Sequence, residues 1–393
     1  MAQAASKEQL INELITLGVV EVIEREHLEA ALKSGKELRV KLGIDPTSPD
    51  LHLGHAVPLW KLRAFQDLGH KAVLIIGDFT ARVGDPSGRE DARKPLSEAE
   101  IKNNMQEYLA QAGRILDLDK AEVRYNSEWL ANLGLNDVTK LLGAATAAQI
   151  LKREDFAKRL ASDSDITMFE AFYPLLQGYD SVAVKADVEL GGNDQLLNLI
   201  MGRKVQRHYG MAEQDILTTP LLMGLDGKKK MSKSLGNVIG LTDVPEDMFG
   251  KVMSLGDELM NDYFVLAAGL PADTGSELSP RDRKELLGKK IVVRYHGEKI
   301  AEESAEKWNK IFSKKEINAE EIPTLKVPEK ISALDLVMLT GVVESKSEAR
   351  RLLEQGGVYV NDKKIELPAT ETLEFRGGEI LKIGKKNFFK AEK

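Results

Sequence analysis

Leu38-Arg39-Val40-Lys41-Leu42-Gly43-Ile44, then Asp45-Pro46-Thr47-Ser48-Pro49-Asp50, then His52-Leu53-Gly54-His55: this stretch decides the fold. The first segment alternates apolar positions and is partly β-branched, which predicts a strand. Two prolines disfavour continued strand pairing, so the second segment reads as a turn. A helix follows from about Leu53, with Val57, Leu59, Trp60, Leu62 and Phe65 as apolar positions and Gly69 as its stop. Ala72-Val73-Leu74-Ile75-Ile76 is a continuous apolar run, as in a parallel strand buried on both faces. Strand, helix and strand make one β-α-β unit, which should cross over right-handed. The predicted fold class is α/β: a Rossmann-like, doubly wound parallel sheet, then a helical domain and a small α+β domain.

The pattern extends in both directions. Asp187 to Leu190 reads as a further strand and Gly191-Gly192-Asn193 as a turn, with a helix from about Asp194 to His208. Residues 6–34 read as helical, because Leu10, Ile11, Leu14 and Ile15 share a face. Residues 98–180 read as mostly helical, and residues 245–312 as an amphipathic helical domain. Ile322 to Pro328 reads as a linker. From Ile331 the chain shows a short helix, a Gly356-Gly357 turn and short strands. The expected domains are 1–225 (Rossmann-like catalytic domain with a helical insertion), 226–320 (a lysine-rich loop and helical domain) and 331–393.

Composition excludes several classes. The chain has 393 residues, 42% hydrophobic and 30% charged, which suits a soluble protein. It has no cysteine, so disulfides, thiolate metal sites and thiol catalysis are out. There is no apolar run of membrane-spanning length and no signal-peptide pattern at the N-terminus. A cytoplasmic protein without membrane association is the expectation. Net charge is −7, unlike that of a non-specific nucleic-acid coat. A nucleic-acid partner would have to use local basic patches. Ile331 to Lys393 holds eleven Lys or Arg against ten Asp or Glu. Its basic residues bunch at Lys346, Arg350 and Arg351, and again at Lys382, Lys385, Lys386 and Lys390.

Two of the six histidines, His52 and His55, lie three apart where a strand turns into a helix. There the free backbone N–H groups attract phosphate, and Gly54 lets a ligand approach the backbone. A metal site would want a third ligand, and none stands at ligand spacing, so no resident metal is expected. Far downstream lies Lys230-Met231-Ser232-Lys233-Ser234. A basic run is usually a solvated turn. In a nucleotide domain it can instead close on a triphosphate and stabilise charge as pyrophosphate leaves. Tyr173, Gln177 and Asp180 stand at i, i+4 and i+7, one polar stripe on an apolar helix. Such a stripe faces water or lines a pocket. Pro174 is expected in the first turn of that helix, where it loses no hydrogen bond.

The two tags match the HIGH and KMSKS signatures of class I aminoacyl-tRNA synthetases. Gly43-Ile44-Asp45-Pro46-Thr47, Gly84-Asp85-Pro86-Ser87-Gly88, Tyr173 through Asp180 and Gly191-Gly192-Asn193-Asp194-Gln195 together resemble the bacterial tyrosyl-tRNA synthetases. Ser345 to Arg351 and Gly357 to Asn361 resemble the S4 RNA-binding module.

The resemblance implies activation of tyrosine by ATP and transfer to tRNA(Tyr). Asp85, Tyr173 and Gln177 would hold the α-ammonium of tyrosine, and Asp180 would accept a hydrogen bond from the phenol. Gly192, Asp194 and Gln195 would meet the ribose and the tyrosyl carboxyl group. Thr47, His52, Gly54 and His55 would hold the phosphates from one side. Lys230, Met231, Ser232 and Lys233 would close from the other. Arg89 and Arg93 would meet pyrophosphate or the tRNA end, and Lys346, Arg350 and Arg351 the RNA. ATP would arrive with Mg²⁺, no cofactor would be tightly bound, and the chain would form a homodimer through residues 144–173. Lys41 departs from the family pattern, which places a tyrosine there as a second phenol contact. Its ammonium would contact the phenol, pair with Asp180 or point elsewhere. A tryptophanyl-type synthetase, a dinucleotide-forming nucleotidyltransferase and a non-enzymatic RNA-binding protein are the competing readings. The first would not need the stripe, the second would not explain the S4-like tail, and the third would not need intact tags.

Overall fold

The computed structural model describes residues 6–85, 87, 97–312, 323–343, 345–361, 363–365, 372–375, 377–384 and 387–392. Arg89, Arg93, Lys385 and Lys386 lie outside them. The chain divides into two compact units, Met1–Ala305 and Glu306–Lys393.

The first unit is built on a six-stranded sheet. Its strands are β1 (Glu21–Ile23), β2 (Arg39–Ile44), β3 (Lys71–Ile76), β4 (Glu122–Tyr125), β5 (Val188–Gly192) and β6 (Asp215–Thr219). Their order is β1-β6-β5-β2-β3-β4. All neighbours run parallel except β1, which is antiparallel to β6. The apolar run in β3 is buried throughout its middle, as a central parallel strand requires. The chain moves outward one way from β2 to β4 and the other way from β5 to β6. The reversal falls between β2 and β5. In such sheets ligands bind at that point, beyond the carboxyl ends of the strands.

Four local expectations need correction or, for the insertion that is mostly helical as expected, an addition. The helical reading of residues 6–34 becomes α1 (Lys7–Thr16), β1 and α2 (Arg25–Lys33). Gly18 turns the chain at φ 61, and the β-branched Val-Glu-Val-Ile run pairs with the open edge of β6. The mostly helical insertion contains β4, which closes the opposite edge of the sheet on β3. Gly191 and Gly192 are not a turn, because they pair with Thr218 and Thr219 at the end of β5. A single 3₁₀ turn, Asn193–Gln195, then leads into the helix Leu196–His208.

The fourth correction concerns Pro174. The stripe helix begins at Met168, because Thr167 caps it: Thr167 Oγ1 accepts from Glu170 N at 3.2 Å, and Glu170 returns the bond to Thr167 N at 3.0 Å. Pro174 therefore sits in the helix interior, where its missing N–H costs one backbone bond.

Helices Pro245–Met253 and Pro280–His296 belong to this same compact unit. The first packs against the second, and the second docks on α3 (Leu53–Asp67) through Trp60, whose Nε1 donates to Tyr295 Oη at 3.0 Å. The Arg294 guanidinium lies 3.7 Å over the Trp60 ring.

The second unit carries a five-stranded sheet and helices Ala333–Leu339 and Lys346–Glu354. Ala333, Val337, Ala349, Leu353, Val358 and Ile383 form its core. The expected linker is partly a strand: Thr324–Lys326 adds in parallel to Asn387–Glu392. Pro323 and Pro328 flank that strand, at positions where no ladder N–H is needed.

Candidate active site

A cavity of about 450 Å³ opens at the carboxyl ends of β2 and β5, at the reversal point. His52, Gly54, His55 and Thr47 line it on one side. Lys230, Met231, Ser232 and Lys233 line it on another. Asp85, Tyr173, Gln177 and Asp180 form its deep end, and Gly192, Asp194 and Gln195 its rim. Among the described residues, every one assigned from sequence to the tyrosine, phosphate or ribose contacts borders this one space. The stripe thus lines a pocket rather than facing water.

Backbone bonds tie the first tag to the segment that follows the second. Leu53 N donates to Ile239 O at 2.9 Å, and Leu241 N donates to Leu51 O at 3.0 Å. His52 and His55 stack with ring centroids 3.9 Å apart. Burial is the main cause that pushes His52 down to about 2 and His55 down to about 4; the Lys233 ammonium adds to both. Both imidazoles are therefore neutral near pH 7. His52 N–H donates to His55 Nδ1 at 3.3 Å, so the ring proton of His55 sits on Nε2. The Nε2–H is a donor suited to a phosphate oxygen. His52 Nδ1 is buried without a hydrogen-bond partner. A side chain at position 54 would meet the His52 ring at 3.0 Å, which explains Gly54.

Both lysines rest on carboxylates. Lys230 Nζ donates to Asp194 Oδ2 at 2.9 Å, and Lys233 pairs with Asp50. Met231 is buried and its N–H bonds Leu222 O at 2.8 Å, which pins the start of the loop.

The deep end is acidic. Asp85 Oδ2 accepts from Gln195 Nε2 at 2.6 Å, and its Oδ1 accepts from Ser87 N at 3.0 Å. Tyr173 Oη donates to Asp45 Oδ2 at 2.9 Å. Asp180 accepts from Trp129 Nε1 at 2.8 Å and from Asn126 Nδ2 at 3.4 Å. Burial pushes Asp180 up to about 6, against the pull of the Lys41 ammonium. Burial also pushes Asp45 up to about 7, with hydrogen bonds from Thr80 and Tyr173 opposing and the charges of Asp85 and Asp180 adding. Acidic groups held this close, partly unwilling to ionise, suit a ligand that brings a positive charge.

Sequence reasoning quoted Asp45 within a motif but gave it no role, and it missed Trp129 and Asn126. Asp45 carried a signal, since a carboxylate directly after a buried strand faces the strand ends. Trp129 and Asn126 carried none. Lys41 contacts neither the cavity nor Asp180: its ammonium pairs with Glu189 at 2.8 Å, with both side chains buried. The alternative that pointed elsewhere is the one observed. In the second unit, Lys346, Arg350 and Arg351 are all exposed on one helix.

Comparison with known proteins agrees with this geometry. Residues 33–313 match the model for class I tRNA synthetases (W and Y), and residues 315–391 match the tyrosine–tRNA ligase SYY-like C-terminal domain. The chain is 46% identical to the tyrosine–tRNA ligase of Thermotoga maritima over 96% of each chain. It is 46% identical to that of Aquifex aeolicus over 98% of each. Among solved structures it is similar to the Archaeoglobus fulgidus tyrosyl-tRNA synthetase complexed with L-tyrosine, with a TM-score of 0.61 and 21% identity over 76% of this chain and 100% of that one. A truncated Aspergillus nidulans mitochondrial tyrosyl-tRNA synthetase gives 0.65 at 21% identity, over 77% and 94%. At such identity these two speak to the fold alone. A tag-bearing cavity at the sheet reversal, matched by a family model over most of the chain and by close relatives end to end, places this chain in the class I tRNA synthetases of the W and Y group, among the tyrosine–tRNA ligases.

Proposed function

We propose that the protein activates L-tyrosine with ATP and transfers the tyrosyl group to the 3′ end of tRNA(Tyr). The observation that carries this reading is a single cavity that His52, His55, Lys230 and Lys233 line together with Asp85, Tyr173, Gln177 and Asp180.

The tyrosine carboxylate attacks the α-phosphorus of ATP, and the bond to pyrophosphate breaks. The nucleophile is already ionised, so no general base is needed. Catalysis is positioning plus charge stabilisation. Neutral His52 and His55, with Thr47, donate to phosphate oxygens. Lys230 and Lys233 exchange Asp194 and Asp50 for the departing phosphates, and Mg²⁺ comes with ATP as part of the substrate. Asp194, released from Lys230, accepts from ribose hydroxyls, with Gln195 and Gly192 beside it. Asp85, Tyr173 and Gln177 accept from the α-ammonium, and Asp180 accepts from the phenol. In the second step a terminal ribose hydroxyl of tRNA attacks the tyrosyl carbonyl, and AMP leaves. Lys346, Arg350 and Arg351 contact the RNA.

A homodimer is part of the same proposal. Leu160, Met168 and Phe169 are more than half exposed, an excess of bare apolar surface on the segment assigned to the interface. The test of function is pyrophosphate exchange with each of the twenty amino acids. Tyrosine-dependent exchange alone supports the reading. Exchange driven by tryptophan, or by no amino acid, overturns it.

A further inference from the structure

Lys41 on β2 and Glu189 on β5 face each other in the parallel register of the two central strands. Their charged ends are 2.8 Å apart, with side chains 0% and 1% exposed. Neither residue borders the cavity. Lys41 Nζ also donates to Ser181 Oγ at 2.8 Å and to the Gln177 carbonyl oxygen at 2.9 Å. Glu189 Oε1 accepts from Gln177 Nε2 at 3.1 Å. Glu189 Oε2 accepts from Ser181 Oγ at 3.2 Å and from Gln214 Nε2. Gly202 leaves room for this: a side chain there would reach within 3.0 Å of Glu189 Oε2.

A buried ion pair is a poor choice for stability alone, because removing both charges from water offsets most of their attraction. The pair does something an apolar pair would not. An ionised carboxylate only accepts hydrogen bonds. Paired with Lys41, the Glu189 carboxylate takes the NH₂ of the Gln177 amide and leaves Gln177 Oε1 for the cavity that this residue lines. Among the described residues no protein donor meets that oxygen. An amide can present either end with little change in shape. Turned over, it would aim two N–H groups at an incoming ammonium. Asp45 does the same for Tyr173, taking its phenolic proton and leaving lone pairs for the ligand.

We propose that the Lys41–Glu189 pair is a positioning device for substrate recognition: it fixes the Gln177 amide oxygen-outward, so that this side chain accepts from the α-ammonium of the amino acid. The proposal rests on the amino-acid-activation reading above. Lys41 and Glu189 are positioning residues and touch no substrate.

The test uses the full-length protein and two ligands, tyrosine and 3-(4-hydroxyphenyl)propionate, which lacks the ammonium group. The wild type should bind tyrosine much more tightly; failure to separate the two sinks the ammonium-site reading itself. In Lys41→Met/Glu189→Leu the amide loses its anchor. Tyrosine affinity should then fall about tenfold, with propionate affinity unchanged. Lys41→Met/Glu189→Gln keeps the shape, but its amide can donate to Gln177 as well as accept, so tyrosine affinity should fall there too, with propionate affinity unchanged. An equal loss for both ligands, or an unchanged ratio in both variants, overturns the proposal. If the leucine variant does not fold, neutron diffraction on the wild-type tyrosine complex decides. Deuterons of the Gln177 amide on Glu189 support the assignment, and deuterons pointing at the ligand overturn it.

Discussion

Tyr173 gives its phenolic proton to Asp45 Oδ2 across 2.9 Å, so the hydroxyl at the deep end of the cavity is an acceptor toward any ligand. The direction of that one bond links the helix after Thr167 to the turn after β2. It also makes the protonation of Asp45 part of ligand binding.

Tyrosine affinity should depend on pH through this contact. Burial holds the Asp45 carboxyl at about 7, well above its unfolded value. By linkage, its contribution to folding is full below the ordinary carboxylate range and is lost as pH rises through about 7. A bound ammonium reverses the preference and favours the carboxylate. Affinity should therefore rise by up to about tenfold between about pH 6 and pH 8 and then level off. The groups facing Asp45 are Thr80, Tyr173, Asp85 and Asp180, and Asp180, held at about 6, adds to the acid side of the slope. Calorimetry in two buffers should detect proton release in the wild type and much less in Asp45→Asn. An Asp45→Asn variant with the wild-type slope would assign the titration elsewhere.

The histidines should act as neutral donors. With His52 at about 2 and His55 at about 4, neither gains charge near neutral pH. His55→Asn keeps a donor without charge and should retain most of the adenylation rate, while His52→Ala and Lys233→Ala should slow it by at least about tenfold. Tyrosine binding should hardly change in any of them. Single-turnover kinetics separate rate from binding; a matching loss in both would remove these residues from the phosphate site.

Asp180 should set the preference for a phenol. Asp180→Asn keeps the shape and can still accept from Trp129, but replaces a carboxylate with an amide. The ratio of exchange rates for tyrosine over phenylalanine should narrow by about tenfold. An unchanged ratio would mean that another group reads the hydroxyl.

The basic helix of the second unit should matter for the second step alone. Reversing Arg350 and Arg351 to Glu alters exposed side chains outside the core. Aminoacylation should weaken about tenfold, through the apparent affinity for tRNA, and pyrophosphate exchange should stay at the wild-type level. Charging that survives the double reversal would take the RNA contact off this helix.

Much of this was legible in the chain. The strand alternation around Lys41, the apolar run through Ile76 and the spacing of Tyr173, Gln177 and Asp180 are local signals with fixed periods. They led to the sheet and to the floor of the cavity. What escaped depended on distant partners. Val20 to Ile23 looks like more helix until an unpaired strand edge, some 195 residues later, offers it hydrogen bonds. Pro174 misleads because Thr167 and Glu170 start the helix earlier than the proline suggests. Lys41 and Glu189 each read as one polar residue in an apolar strand. Only the register of two strands far apart in sequence makes them a pair.

The backbone bonds between Leu51–Leu53 and Ile239–Leu241 have a consequence in entropy. With Met231 tied to Leu222 at one end and Ile239 tied to Leu53 at the other, the strand of chain that carries Lys233 is a short tether held at both ends. Closing so short a span at the moment ATP arrives removes few chain configurations. The order was imposed when the protein folded, and the nucleotide meets a site whose loss of freedom is already behind it.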